Sequence, residues 1–199
     1  MGQAYLFRAH ESWNAIFWFS YVMVFAVVMW VARRERHYAR GEVRDRGSKA
    51  AIYAGTFAGI ALAFVGPYLF PAARIRLPAA GLFWTAIGEM WLGTFFYVWA
   101  VLTLGSFFRT SVQLVEGQRL VVRGPYRLLR HPAYTGGVLI FSGVGLATGN
   151  GFSFAASTLC LIAGYLVRIR VEEAALAERF GAEFEARKKK TWAMIPLVW

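Results

Sequence analysis

Uncharged apolar stretches long enough to cross a bilayer recur along this chain, and they constrain its fold more than any other feature. Residues 13–32, "WNAIFWFSYVMVFAVVMWVA", carry no charged side chain. At about 1.5 Å per residue such a helix covers roughly 30 Å of hydrocarbon. Residues 50–70 form a second run, ended by Pro71, and residues 79–108 a third, interrupted only by Glu89. The last apolar stretch, residues 133–167, is too long for one ordinary helix. The turn signal "ATGNG" at residues 147–151 divides it into a helical hairpin with arms of about 15 residues. The expected fold is all-α: a polytopic membrane bundle of about five transmembrane helices with a C-terminal helical hairpin and a charged cytoplasmic tail. One domain spans 1–199, with transmembrane helices over 1–105 and a catalytic, cofactor-binding region over 106–199.

Composition and charge agree. The chain is 58% hydrophobic and 17% charged, whereas soluble domains average about 45–50% and about 25%. The net charge of +11 could suggest nucleic acid, but the basic residues sit in short loops between apolar runs. Residues 33–49, 106–132 and 168–199 hold seven, five and seven Lys/Arg. Five crossings put these three segments on one side, which the positive-inside rule makes cytoplasmic. Arg8, Arg74, Arg76 and the "ATGNG" turn fall on the other. Nucleic acid is therefore not an expected partner. Cys160, the one cysteine, reads as a packing residue. The first run has no small-residue cleavage site before "VARRER", so no cleavable signal peptide is expected.

Against this background "VRGPYRLLRHPAYTGG", residues 122–137, stands out as a dense basic knot. "GPY" makes a turn in which proline fixes one backbone angle and glycine allows another. Pro132 disfavours the α region at His131 and suits the first turn of the helix starting at Ala133. A helix N-terminus here offers N–H groups to an anion. A plain membrane-surface loop needs charge, but it does not need prolines and a histidine at fixed offsets.

"GPYRLLRHPAYTG" followed downstream by "RIRVEEAALAERFGAEF" resembles the isoprenylcysteine carboxyl methyltransferase family. These are integral membrane enzymes that use S-adenosylmethionine. The likeness is greatest to bacterial members, which also carry a "DRGS"-like loop (here Asp45 to Ser48) and "LGSFF"-like residues (Leu104 to Phe108). It implies a pocket without a Rossmann fold, and the chain has no glycine-rich strand-to-helix fingerprint. By this resemblance the cofactor contacts fall on Gln113, on Gln118, Arg119, Leu120 and Val121 largely through backbone, on Tyr126, and on His131, Pro132, Ala133 and Tyr134. Glu172 is a further cofactor contact, and Arg168 takes the substrate carboxyl; these two are the catalytic pair. No metal is implied. One departure is Phe184, where the family pattern has tyrosine.

The residue types suit the chemistry. Methyl transfer from a sulfonium to a carboxylate is an in-line displacement in which both charges diminish, so desolvation and alignment dominate. Arginine can hold a carboxylate bidentately, and Glu172 can receive an ammonium. A carboxylate nucleophile needs no general base; a thiol or amine does, and His131 is then the nearest. Arg168 and Glu172, four apart, share a helix face, which alone would also describe a simple salt bridge. Arg170 and Glu173 are expected to point elsewhere. Glu89, an intramembrane acid, is a substrate-pocket candidate by default. "RKKKTW" reads as an anionic-phospholipid-facing patch with an interfacial tryptophan.

Nothing in the spans selects a prenyl group. The acceptor stays open between a carboxylate on a lipophilic molecule entering from the bilayer, isoprenoid types included, and a phospholipid, thiol or amine. A sterol-reductase-like enzyme using NADPH is disfavoured, because the second acid after Arg168 would oppose a 2′-phosphate. A non-enzymatic lipid-binding adaptor is the remaining alternative.

Overall fold

The computed structural model describes residues 5–35, 41–115 and 117–196. Arg36 and Arg40 of the first basic loop lie outside the described residues. Six α-helices and a two-stranded ribbon follow in the order α1 (Glu11–Glu35), β1 (Glu42–Val43), α2 (Ser48–Leu69), α3 (Ala79–Leu104), β2 (Gln113–Leu114), α4 (Pro132–Ala147), α5 (Gly151–Phe180) and α6 (Ala182–Lys188). Four of them, α1, α2, α3 and α5, are long and apolar enough to cross a membrane. Their outer faces expose Phe19, Phe25, Phe57, Trp84 and Phe95, as lipid-facing helices do, since hydrocarbon is as apolar as these side chains.

The fifth predicted crossing is the short helix α4. Its 16 residues cover about 24 Å, less than a full hydrocarbon thickness. It nevertheless runs from one end of the bundle to the other. Its start is held to the tail by His131 N–H on the Ala193 carbonyl at 2.9 Å. Beyond its far end, Leu6 N–H donates to the Thr148 carbonyl and Ile75 N–H to the Gly149 carbonyl. The "ATGNG" turn is built as read: Gly149 has φ +75°, where glycine is the default. Asn150 caps α5 by accepting the Ser153 N–H at 3.0 Å.

Close packing lets α4 sit against α3. A Cβ on Gly136 would lie 2.6 Å from the Gly93 carbonyl oxygen, and one on Gly93 would lie 2.6 Å from that of Gly136. Only glycine at both positions allows this backbone approach, the usual device for helix association in lipid. Away from the basic end, an aromatic core fills the space between helices. Phe7 stacks on Phe17 at 4.2 Å and Trp13 on Phe83 at 4.6 Å.

The second hairpin arm extends into the flanking charged segment: α5 continues through "RIRVEEAALAERF" to Phe180, 30 residues in all. The charges that mark the tail as leaving the membrane do not interrupt the helix, because those facing inward find partners on the loops beside it.

Candidate functional site

The basic end of the bundle gathers the first loop, the knot and the tail. Loop one is tied down by the β1–β2 ribbon, in which Glu42 faces Leu114 and Val43 faces Gln113. Arg44 N–H adds a bond to the Val112 carbonyl at 2.8 Å. Asp45 follows, at the start of α2. Its carboxylate accepts the Lys49 N–H at 3.0 Å, the Val112 N–H at 3.1 Å and the Ser48 hydroxyl at 3.1 Å. The knot is fixed from the other side by the tail: Trp192 N–H donates to the Leu128 carbonyl and Arg130 N–H to that of Trp192. The Thr135 hydroxyl donates to the Met194 carbonyl at 2.7 Å. In "RKKKTW", read from the sequence as a lipid-facing patch, the threonine and tryptophan lie along the knot.

Between these layers lies a continuous polar chain. Arg168, its side chain 2% exposed, ion-pairs with Asp45. The same terminal nitrogen donates to the Ser48 hydroxyl at 3.0 Å, and Nε donates to the Tyr134 hydroxyl at 3.1 Å. Tyr134 in turn donates to Glu172 at 2.7 Å. The direct Arg168–Glu172 separation is 3.9 Å, so the four-residue pair works through the phenol rather than as a plain helix salt bridge. Glu172 is the open member, its side chain 31% exposed, with His131 Nδ1 at 3.8 Å.

Glu173 does not point away, as its position after Glu172 suggested. It reaches the other ring nitrogen of His131 at 3.3 Å, Arg130 Nε at 2.7 Å and Lys188 at 3.2 Å. Two adjacent glutamates therefore flank one histidine. Its ring stacks on Tyr134, and Tyr134 on Tyr165 at 4.5 Å. The ring geometry of His131 is set from both sides, in a knot with two prolines whose backbone is bonded to the tail.

The electrostatics follow from burial and partners. Burial alone would raise the Asp45 carboxyl, but the Lys49 and Val112 N–H groups, the Arg168 guanidinium and Ser48 hold it below the usual carboxylate range. Tyr126 is buried against Ala100, Ala133 and Val121. Burial first, and then the Glu172 carboxylate, push its phenol well above the ordinary value. It is a neutral hydrogen-bonding group at physiological pH.

Of the residues singled out in the sequence, Tyr126, His131, Tyr134, Arg168 and Glu172 converge, with Val121, Pro132 and Ala133 packed beside them. Gln113 and Gln118 spend side-chain bonds on loop backbone: Gln113 Oε1 accepts the Gly41 N–H of loop one, and Gln118 Oε1 the Val115 N–H of its own loop. Arg119 is exposed. Glu89 is not brought to the cluster. It accepts the Ser142 hydroxyl at 2.8 Å, two turns or about 12 Å along α4 from Tyr134. Phe184, in the tyrosine position, is buried at 2% exposure, a setting in which a hydroxyl would need a partner. Asp45, Arg130, Tyr165 and Glu173 complete the cluster. Only Asp45 carried a signal, as a short polar residue three before Ser48 at a helix start.

Helices crossing a membrane, a fixed loop–hairpin–tail junction and this acid–phenol–guanidinium chain define a membrane enzyme class. The chain belongs to the phospholipid methyltransferase family, which it matches over residues 82–183, about half its length. It is 33% identical over 101 residues to a probable protein-S-isoprenylcysteine O-methyltransferase of Oryza sativa subsp. japonica, covering 50% of this chain and 53% of that protein. The protein-S-isoprenylcysteine O-methyltransferase of Schizosaccharomyces pombe is 32% identical over 111 residues, 49% of this chain and 47% of that one. The solved structure of the eukaryotic intramembrane Ras methyltransferase, isoprenylcysteine carboxyl methyltransferase, superposes with TM-score 0.58 at 26% identity, over 72% of this chain and 51% of that chain. The chain thus spans about half the length of the curated relatives it matches. The isoprenylcysteine-methyltransferase-like character read from "GPYRLLRHPAYTG" and "RIRVEEAALAERFGAEF" is borne out.

Proposed function

We propose that this chain is an S-adenosylmethionine-dependent methyltransferase that esterifies a carboxylate on a lipophilic acceptor, at the cytoplasmic boundary of the membrane. The carrying observation is the Glu172–Tyr134–Arg168 chain. It sets a half-open carboxylate beside a buried guanidinium, with one phenol bonded to both.

The donor set fits the proposed methyl donor. Glu172 offers an open carboxylate for an ammonium, while Tyr126 and the His131–Tyr134–Tyr165 stack present neutral aromatic and hydroxyl groups beside it. When bound, S-adenosylmethionine supplies an electrophilic methyl group on a sulfonium. Arg168 keeps its charge in a partly dry site. Its hydrogen bonds leave from Nε and one terminal nitrogen; among the described residues the second terminal nitrogen has no hydrogen-bond partner, and we assign it to the acceptor carboxylate. Asp45 and Tyr134 hold the guanidinium still, so that alignment is built in before the acceptor arrives. A carboxylate acceptor leaves no proton to remove, and His131, held between Glu172 and Glu173, serves to orient rather than to act as a base. The cytoplasmic assignment rests on the Lys/Arg asymmetry of the loops.

The family match favours a second reading, in which the acceptor is a phospholipid amine. That reaction releases a proton, which His131 is placed to take. The two are separated by incubating the detergent-purified full chain with methyl-labelled S-adenosylmethionine and N-acetyl-S-farnesylcysteine, its methyl ester, or phosphatidylethanolamine. Carboxylate methylation predicts base-labile label in the free acid and none in the ester. Base-stable label in phosphatidylethanolamine would establish the second reading instead.

A further inference from the structure

Behind the loop that leads into the knot is a cavity of about 380 Å3, bounded on its other side by α6. The chain alternates here. Val121 packs toward Tyr126, Ala133 and Ala100, while its neighbours Leu120 and Val122 line the cavity. The cavity is therefore on the opposite face of this segment from the Glu172 cluster. Its charged walls are Arg127, Arg187, Lys190 and Glu183.

Three cations against one acid leave two positive charges in excess. Among the described residues none of the four is in an ion pair. Arg187 is half-buried and donates to the Tyr126 carbonyl. Burial, and then repulsion from Arg130, lower its pKa from the ordinary value. Cations gathered around a concavity with no internal countercharge focus a field that favours an external anion. The same field disfavours a sulfonium-bearing donor, so the cavity is not a second position for the cofactor.

The apolar surroundings narrow the ligand. Val122 is 59% exposed and Leu128 61% exposed, flanking Arg127 on both sides in the chain. Large apolar side chains standing open beside a basic cleft suit a ligand with an anionic head and a hydrocarbon stem. The segment joins the end of α3 at Leu104, a helix long and apolar enough to cross a membrane, to the start of α4 at Pro132.

We propose that this cleft is a binding site for an anionic phospholipid that is not the methyl acceptor. Its phosphate is held by Arg127, Arg187 and Lys190, and its upper acyl chain lies along Leu120 and Val122. The site is independent of which acceptor is methylated.

The test titrates the full chain in neutral detergent with dihexanoyl-phosphatidylglycerol, dihexanoyl-phosphatidylcholine and glycerol 3-phosphate. The variants are Arg127→Gln/Lys190→Gln and, as a control outside the cleft, Arg179→Gln/Lys189→Gln. Arg187 is left intact because it holds the Tyr126 carbonyl. A cation near a lipid headgroup contributes about fivefold, so the cleft variant should bind phosphatidylglycerol about 25-fold more weakly. The control should stay within about twofold of the parent, and phosphatidylcholine should bind more weakly than phosphatidylglycerol throughout. Unchanged melting of the cleft variant shows that folding is not the cause. Equal losses in both variants would mean diffuse surface charge and overturn the site. So would glycerol 3-phosphate binding as tightly as the lipid, or phosphatidylglycerol binding that ignores the cleft variant.

Discussion

Asp45 and Arg168, 123 residues apart in sequence, are ion-paired inside the protein, with side chains 14% and 2% exposed. The pair joins loop one to α5 and sets the guanidinium in the polar cluster of the candidate site. Neither charge is well solvated, so each depends on the other.

Removing one partner should therefore be costly. Asp45→Ala leaves a buried guanidinium without its countercharge and frees the Lys49 and Val112 N–H groups. Breaking such a pair costs about 3–5 kcal/mol. Asp45→Asn keeps an acceptor for one of those amides and should lose less. Thermal melting in detergent checks the order; equal losses from both variants would contradict it.

The same carboxylate sets an acid limit. Asp45 titrates below the usual carboxylate range when folded and near about 3.9 when unfolded. A depressed folded value means the native state binds fewer protons, so its stabilisation is complete above the unfolded value. It is lost as pH falls through the folded one. Melting temperature should be level from about pH 8 to 5 and drop below about pH 4. Asp45→Asn should show a smaller drop.

Tyr134→Phe isolates the bridge. The ring stack with His131 and Tyr165 survives, while the hydroxyl between Glu172 and Arg168 is lost. Hydrogen bonds to charged groups contribute about 1.5–3 kcal/mol. Melting should fall, because Arg168 Nε is left buried without its acceptor, and S-adenosylhomocysteine affinity should fall about tenfold or more besides. Glu173→Ala should lower melting by stripping Arg130, His131 and Lys188 of their shared partner, with the smaller effect on S-adenosylhomocysteine affinity.

Much of the architecture is legible in the sequence because bilayer thickness fixes element length. The run 13–32 lies inside α1, and 50–70 matches α2 to within two residues. The knot is legible too, since Gly124, Pro125 and Pro132 each dictate local backbone. What is not legible is where charge is compensated by distant protein. Arg168, Glu172 and Glu173 read as a helix leaving the membrane, yet their partners Asp45, Tyr134 and Arg130 lie 34 to 123 residues away. Glu89 shows the converse: an intramembrane acid drew attention as a site residue, and Ser142 satisfies it far from the cluster.

Gly136→Ala tests the hairpin packing. The added Cβ would meet the Gly93 carbonyl at 2.6 Å, whereas one on Gly88 meets nothing within 4 Å. Overpacking of this kind costs about 1–3 kcal/mol. Gly136→Ala should lower melting, and Gly88→Ala should not.

The most direct test is calorimetric titration of the detergent-purified full chain with S-adenosylhomocysteine, beside Glu172→Ala. Glu172 is partly exposed, so its loss should spare the fold. Saturable micromolar binding to the parent, abolished in the variant, is the predicted result. Binding that persists unchanged in Glu172→Ala, or none to a well-folded parent, would contradict the assignment of this cluster as the methyl-donor site.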